Sequence, residues 1–158
     1  GGDPPGARVR ADDPRWAGLA KTAERMRSRA HAPYSKYRVG AALLTTQGLS
    51  RGCNVENASY PLCICAEANA VAHAIARGWR EFTALAVATE GPMPGAPCGA
   101  CRQILSEFAL DLPVALVVGG TVRQVVTVRE LLPLTFTGDY LQTDGAARTP
   151  RAAKAPRR

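Results

Sequence analysis

The arrangement of the last two predicted strands is decided by residues 114–126, which read VALVVGGTVRQVV. Two valine-rich runs, Val114–Val118 and Val122–Val126, are separated by little more than Gly119 and Gly120. Neighbouring parallel strands need a crossover connection of a dozen or more residues, whereas antiparallel strands can be joined by a tight turn. This stretch therefore predicts an antiparallel hairpin as the end of the sheet.

Outward from this hairpin, hydrophobic periodicity predicts a first hairpin, a further strand and four helices. Gln47-Gly48 is the expected turn of the first hairpin, and Gly78 is the expected end of the second helix. The strands are expected at Val39–Thr45, Leu49–Asn54 and Ala84–Thr89, and the helices from Asp13, over Cys65–Arg77, over Cys98–Phe108 and after Thr127. The order predicts an α/β, three-layer αβα fold with a mixed five-stranded sheet and helices on both faces.

Three cysteines and one glutamate stand in a spacing that suits a catalytic metal. Cys65-Ala66-Glu67 is followed by Pro97-Cys98-Gly99-Ala100-Cys101. A structural Zn²⁺ is closed by four protein ligands, whereas a catalytic Zn²⁺ has three and leaves the fourth position to water. We therefore predict one Zn²⁺ held by Cys65, Cys98 and Cys101, with Glu67 moving protons as the catalytic residue.

Both metal motifs open predicted helices, where free N–H groups and the helix dipole stabilise thiolates. The alternative is a structural zinc knuckle, which needs a fourth ligand. Cys63, two residues before Cys65, is one candidate, but we interpret it as a small buried loop thiol. His73 is interpreted as a packing or hydrogen-bonding residue in mid-helix, and Cys53 as a packed residue at the end of its strand.

These motifs and several others resemble the short-chain, homotetrameric cytidine deaminases. The resemblance runs from Ala32 to about Phe136. It is carried by Ala32-Pro33-Tyr34-Ser35-Lys36-Tyr37, Val39-Gly40-Ala41-Ala42, Cys53-Asn54-Val55-Glu56-Asn57-Ala58-Ser59-Tyr60, Cys65-Ala66-Glu67, Pro97-Cys98-Gly99-Ala100-Cys101-Arg102-Gln103 and Leu131-Leu132-Pro133. One departure is Ala68, where the family usually has an arginine that offsets the charge of the thiolates.

The resemblance implies hydrolytic deamination of cytidine and 2′-deoxycytidine in pyrimidine salvage, with release of ammonia. It also implies a homotetramer with shared active sites. The substrate-binding residues it implies are Tyr37, Asn54, Glu56, Ala66, Tyr60 and Phe136. The predicted terminal hairpin favours the nucleoside-acting branch, because a helix commonly separates the corresponding strands in deaminases that act on nucleic acids.

The residues themselves support part of this assignment. Asn54 and Glu56 stand two apart, so both side chains leave an extended segment on the same face and could grip one ribose together. Tyr37 takes the place of a family phenylalanine that lines the base pocket, although a core tyrosine has the same signature. Phe136 and Tyr60 match residues near a subunit junction, although an exposed phenylalanine near the chain end can also be ordinary hydrophobic cover.

Composition predicts one domain with a real core. The chain has 158 residues, of which 46% are hydrophobic. We place the deaminase domain at 13–140, a flexible lead at 1–12 and a basic, disordered tail at 141–158. The net charge of +7 includes five basic residues after Asp144. The rest of the chain is nearly neutral, so a nucleic-acid partner is not expected.

The sequence has no apolar run long enough to cross a membrane and no apolar leader. We therefore expect a cytoplasmic protein and no membrane partner. Five cysteines, three in zinc spacing, suit a reducing compartment. Two alternatives remain: a deaminase for a modified cytosine nucleoside such as an antibiotic, and an inactive zinc-binding or nucleic-acid-binding relative.

Overall fold

The computed structural model of the protein describes residues 9–141. The helices and strands follow the predicted order, with bounds that differ from the sequence-based ones by a few residues. They are α1 (Arg15–Arg27), β1 (Gly40–Thr45), β2 (Leu49–Cys53), α2 (Ala66–Ala76), β3 (Phe82–Thr89), α3 (Gly99–Ser106), β4 (Pro113–Val118), β5 (Thr121–Thr127) and α4 (Val128–Leu131). Short 3₁₀ turns lie at Tyr60–Leu62 and Gly138–Leu141.

The five strands form one mixed sheet in the order β2-β1-β3-β4-β5. β3 and β4 are parallel, and the other neighbours are antiparallel. The predicted terminal hairpin is confirmed: Val118 pairs with Thr121 across Gly119 and Gly120. Both glycines have positive φ, 59° and 76°, which a two-residue turn of this hand requires and which only glycine adopts freely.

The sheet separates two hydrophobic clusters, which confirms the three-layer architecture. Strand alternation in β3 sends Ala84, Ala86 and Ala88 to the α1 side and Leu85 and Val87 to the side of α2 and α3. The small side chains on the α1 side let that helix lie close to the sheet. Gly40 in β1 is the closest approach, since a Cβ there would lie 2.0 Å from the Ala23 carbonyl oxygen.

The start of the described chain is held to α1. Trp16 is 1% exposed, and its indole Nε1 donates to the Arg10 carbonyl at 3.0 Å. The N-cap of α1 is Pro14 and not the expected Asp13, although Asp13 Oδ1 accepts from the Arg15 N–H at 2.9 Å just before the helix. Residues 1–8 and 142–158, which include most of the predicted lead and tail, lie outside the described residues. In the part that the structure does describe, no helix is long and apolar enough to cross a membrane.

The topology brings the two metal motifs to one edge of the sheet. β2 and β3 are both antiparallel to β1, so they point the same way and their carboxyl ends share an edge. The chain leaves β2 towards α2 and leaves β3 towards α3, and both helices pack on the same face. The N-termini of α2 and α3 are thereby placed side by side, at the edge where α/β sheets usually bind ligands.

Candidate active site

Three cysteine thiols converge where α2 and α3 begin. Cys65 is the N-cap of α2, Cys98 is the N-cap of α3, and Cys101 lies one turn further along α3. The three Sγ atoms lie within 4.8 Å of one another, and Cys65 Sγ is 3.7 Å from Cys98 Sγ. Two sulfurs bound at about 2.3 Å to a tetrahedral Zn²⁺ stand roughly 3.8 Å apart, so this donor set fits zinc.

The lowered pKa of Cys65 favours metal binding. The pKa of Cys65 is lowered to about 6, chiefly because the Cys101 thiol donates a hydrogen bond to its sulfur. The pKa of Cys101 is raised for the same reason and by burial. A thiolate at Cys65 is therefore present near neutral pH, and thiolate is the form of cysteine that ligates zinc.

Glu67 lies beside the thiols and is buried. The residue is 5% exposed, and its Oε2 lies 3.7 Å from Cys101 Sγ. Burial raises the pKa of this carboxyl, and the neighbouring Cys65 raises it further. A carboxyl whose pKa is moved towards neutrality can both take up and release a proton under physiological conditions. The structure thus brings together the predicted ligand set and the predicted proton carrier.

The candidates for a fourth ligand do not join this cluster. Cys63 is exposed, so the prediction of a buried thiol was wrong; its Sγ faces the backbone of Asn57, accepting from the N–H at 3.3 Å. His73 Nδ1 accepts from the Arg51 N–H at 3.4 Å, which confirms a hydrogen-bonding role. Cys53 ends β2, as expected. Among residues 9–141, the only group of three or more metal-ligating side chains is the Cys65, Cys98 and Cys101 cluster.

Two arginines that might have replaced the family arginine at position 68 are engaged elsewhere. The guanidinium of Arg102 donates to the carbonyl oxygens of Pro97 and Leu131, each at 2.8 Å. Arg77 lies over the Trp79 ring at the far end of α2, about 16 Å along the helix axis from its first turn. These two guanidinium groups thus contact carbonyl oxygens and a ring, and the thiols lie at the positive dipole ends of α2 and α3, which favour negative charge.

Comparison with known proteins bears on the identity of this site. Residues 17–117 match the family model described as the cytidine and deoxycytidylate deaminase zinc-binding region. The chain belongs to this family. The cofactor is accordingly zinc, which the three-thiol cluster fits.

Individual relatives agree with the family assignment. Cytidine deaminase of Sporosarcina psychrophila is 42% identical over 126 residues, covering 78% of this chain and 92% of the relative. That of Halalkalibacterium halodurans is 44% identical over 126 residues, covering 77% and 93%. Among solved structures, cytidine deaminase from Burkholderia pseudomallei is 48% identical with a TM-score of 0.72, covering 75% of this chain and 97% of the other.

In this member of the deaminase family, Asn54 and Glu56 both brace the segment that precedes β1. Asn54 Oδ1 accepts from the Val39 N–H at 2.8 Å, and its Nδ2 donates to the Tyr37 carbonyl at 2.9 Å. Glu56 Oε1 accepts from the N–H groups of Tyr34 and Ser35, both at 3.0 Å. The Ser35 hydroxyl donates to Glu56 Oε2.

The other predicted substrate-binding residues are placed as follows. Ala66 is fully buried between Cys65 and Glu67 at the start of α2. Tyr37 is 44% exposed, and its hydroxyl lies against Gly95, where a Cβ would be 2.6 Å away. Tyr60 and Phe136 are 68% and 56% exposed, and they contact the rings of Tyr34 and Tyr140 respectively.

Sequence reasoning missed the residues that connect these parts. Asn69 Nδ2 donates to the Cys53 carbonyl at 2.8 Å and so ties α2 to the end of β2. Gln103 Nε2 donates to the Phe136 carbonyl at 3.0 Å, which links α3 to the C-terminal segment. Ser35 joins the Glu56 carboxylate to the Tyr37 backbone. Spacing along the chain carried no signal for these contacts, because each joins segments brought together only by the fold.

Proposed function

We propose that this chain is a cytidine deaminase that hydrolyses cytidine and 2′-deoxycytidine to the uracil nucleosides and ammonia. The observation that carries the proposal is the buried Glu67 carboxyl beside a cluster of three thiols that has no fourth protein ligand among residues 9–141. That set of donors is typical of a catalytic and not a structural zinc site. The family membership and the relatives named above support the same activity.

The residues of this chain have distinct tasks in the reaction. Cys65, Cys98 and Cys101 hold zinc, which when bound makes water a nucleophile at neutral pH. Glu67 accepts the proton of the attacking water and donates it to N3 of the cytosine ring. The same carboxyl then takes the remaining proton from the hydroxyl added at C4 and passes it to the departing amino group, which leaves as ammonia. Its raised pKa suits this alternation between base and acid.

Substrate binding is assigned to the residues around this centre. Glu56 and Asn54 receive the ribose, Tyr37 forms an aromatic wall for the base, and the buried backbone at Ala66 lies between a zinc ligand and the proton carrier. Glu56 has an acceptor position left on Oε2, because Ser35 is the only donor to that oxygen among residues 9–141. One free position accepts one ribose hydroxyl, which accounts for use of both ribo- and 2′-deoxyribonucleosides through their shared 3′-OH.

A homotetramer with shared active sites is the proposed assembly. Tyr60, Leu62, Leu134 and Phe136 are all more than half exposed, and each offers apolar surface that a neighbouring subunit would cover. Light scattering on the purified protein tests the assembly, and a monomer at micromolar concentration with full activity would contradict the sharing of sites.

Pyrimidine salvage in the cytoplasm is the proposed setting. All five cysteines are free thiols, which suits a reducing compartment. The alternative of a deaminase for a modified cytosine nucleoside is less well supported, because the presence of the Asn54 and Glu56 pair suits an unmodified ribose. The inactive relative is disfavoured by the buried Glu67.

The test is a substrate panel on zinc-loaded protein: cytidine, 2′-deoxycytidine, free cytosine, adenosine and single-stranded DNA. We expect one zinc per chain, loss of zinc on replacing Cys65, Cys98 or Cys101, and turnover of the two cytosine nucleosides alone. Half a zinc per chain would contradict the ligand set. A zinc-loaded protein inactive on both nucleosides would refute the proposed activity.

A further inference from the structure

The turn at residues 32–37 is tightly built although it lies at the surface. Lys36 has φ +60°, in the left-handed region that non-glycine residues rarely adopt, and its N–H donates to the Ala32 carbonyl at 3.1 Å. Tyr34 and Tyr37 on either side are 48% and 44% exposed. A strained, exposed turn persists only where the surrounding contacts hold it, so these contacts indicate its structural role.

Those contacts meet at the Ser35 hydroxyl. It donates its one proton to Glu56 Oε2 and accepts a hydrogen bond from the Tyr37 N–H at 3.0 Å. A serine hydroxyl has one donor and two acceptor positions, so these two bonds use its donor and one of its acceptors. A single side chain thus connects the predicted ribose-binding carboxylate to the backbone of the predicted base-pocket residue.

The hydrogen bonds also determine how many acceptor positions of the Glu56 carboxylate remain for a substrate. The two backbone N–H groups fill Oε1, and Ser35 takes one position on Oε2, which leaves one acceptor position on the carboxylate. The same bonds, first among them the one from Ser35, hold the pKa of Glu56 below its usual range. The carboxylate is therefore ionised, oriented and open to one hydroxyl donor before substrate arrives.

We propose that Ser35 is a positioning residue for nucleoside recognition, because its hydroxyl fixes both the carboxylate that receives the ribose and the turn that presents Tyr37 to the base. The inference rests on the proposed function and adds a residue to its binding machinery. Ser35 acts through Glu56 and Tyr37 and not on the reacting atoms. Its loss therefore affects mainly KM, whereas loss of the proton carrier Glu67 affects kcat.

A matched pair of variants isolates the hydroxyl. Ser35→Thr keeps it and Ser35→Val replaces it by a methyl group of the same shape, so any cost of branching at this turn is common to both. With cytidine, we expect the Thr variant to lie within about threefold of wild type. The Val and Ala variants should lose about tenfold to hundredfold in kcat/KM, as expected for a hydrogen bond to a charged group. Ser28→Ala is the control, because the Ser28 hydroxyl is exposed and donates only to the Arg25 carbonyl.

A double-mutant cycle then tests the route through Glu56. In the Glu56→Ala background, Ser35→Ala should cost clearly less than in wild type, because the carboxylate that it orients is gone and only the bond from the Tyr37 N–H is left to lose. Zinc content and thermal unfolding of each variant confirm that the comparison is made on folded, loaded enzyme. Equal losses in the Thr and Val variants, or fully additive effects in the cycle, would overturn the role of Ser35 while the wild-type enzyme still deaminates cytidine. A wild-type protein that fails on cytidine would overturn the proposed function instead, and this inference with it.

Discussion

We predict that Gly52→Ala, a substitution within strand β2, disrupts the active site. Gly52 lies in β2 against the first turn of α2, and a Cβ there would stand 2.2 Å from the Ala66 carbonyl oxygen and 2.6 Å from the Ala70 nitrogen. Ordinary van der Waals contact begins at 3.4 Å, so the carbonyl has to move by about 1.2 Å. Both neighbours are backbone atoms of a packed helix, so no flexible side chain can absorb the displacement.

The displaced residue lies between Cys65 and Glu67, whereas Cys98 and Cys101 belong to α3 and stay in place. A shift of about 1 Å at a reacting group can cost ~10²-fold in rate, and overpacking a core typically costs ~1–3 kcal/mol of stability. We therefore expect Gly52→Ala to lose about a hundredfold in kcat on cytidine, to bind zinc more weakly and to unfold at a lower temperature.

Gly18→Ala is the matched control. Gly18 lies on α1, and a Cβ there would meet nothing within 4 Å. The same substitution at this exposed helical position should leave zinc content and kcat unchanged and raise stability by ~0.5–1 kcal/mol. Zinc per chain by atomic emission, deamination by loss of cytidine absorbance and thermal unfolding are measured on both variants. If Gly52→Ala keeps wild-type zinc content and kcat within twofold, the position of α2 against β2 does not determine the geometry of the active site.

Four further predictions concern three residues of the site. Glu67→Gln should keep zinc but lower kcat by ~10²–10⁴-fold, because an amide cannot carry the proton, and retention of a tenth of the rate would exclude that role. The pKa of Glu67 is higher in the folded protein than in the unfolded chain, where a carboxyl has a pKa of about 4.3. The stability of the metal-free protein should therefore fall as pH rises from that value towards the folded pKa. In thermal unfolding, Glu67→Gln should be more stable than wild type at neutral pH, and this difference should vanish in acid. Ala68→Arg should move the acidic limb of the kcat profile to lower pH, since the guanidinium groups of Arg102 and Arg77 contact carbonyl oxygens and the Trp79 ring; an unmoved limb with intact zinc would show that the thiolate charge is already compensated. Glu56→Ala should cost roughly 2–4 kcal/mol in kcat/KM for nucleosides, while free cytosine remains a poor substrate for both proteins; efficient wild-type turnover of cytosine would argue against a ribose grip.

Local patterns determined the elements and their order. The strand at Val114–Val118 was predictable because a run of buried apolar residues ends at Gly119-Gly120, where the backbone needs positive φ. The short α4 was predictable from Thr127, whose hydroxyl accepts from the Glu130 N–H at 3.2 Å as a cap does. The metal cluster was predictable because Cys98 and Cys101 share one face of a helix start and Cys65 opens another helix.

Tertiary structure decided how the polar residues of the site are used. The sequence placed Asn54 and Glu56 two apart on one face, but only the fold shows that both side chains hold the 34–39 segment. Cys63 was expected to be buried from its residue type, yet the loop carries it to the surface. Arg102 follows a zinc ligand directly, and the fold nevertheless turns its guanidinium to Pro97 and Leu131.

The physical reason for this division is the range of the forces involved. Periodicity, capping and turn preferences act within a few residues, so the sequence by itself determined the helices, the strands, the terminal hairpin and the three thiols with their carboxyl. Hydrogen bonds between Ser35 and Glu56, or between Asn69 and Cys53, join residues that are 16 to 21 positions apart. Those contacts exist only after β2 has paired with β1 and α2 has packed against β2, and so the tertiary structure alone decided them.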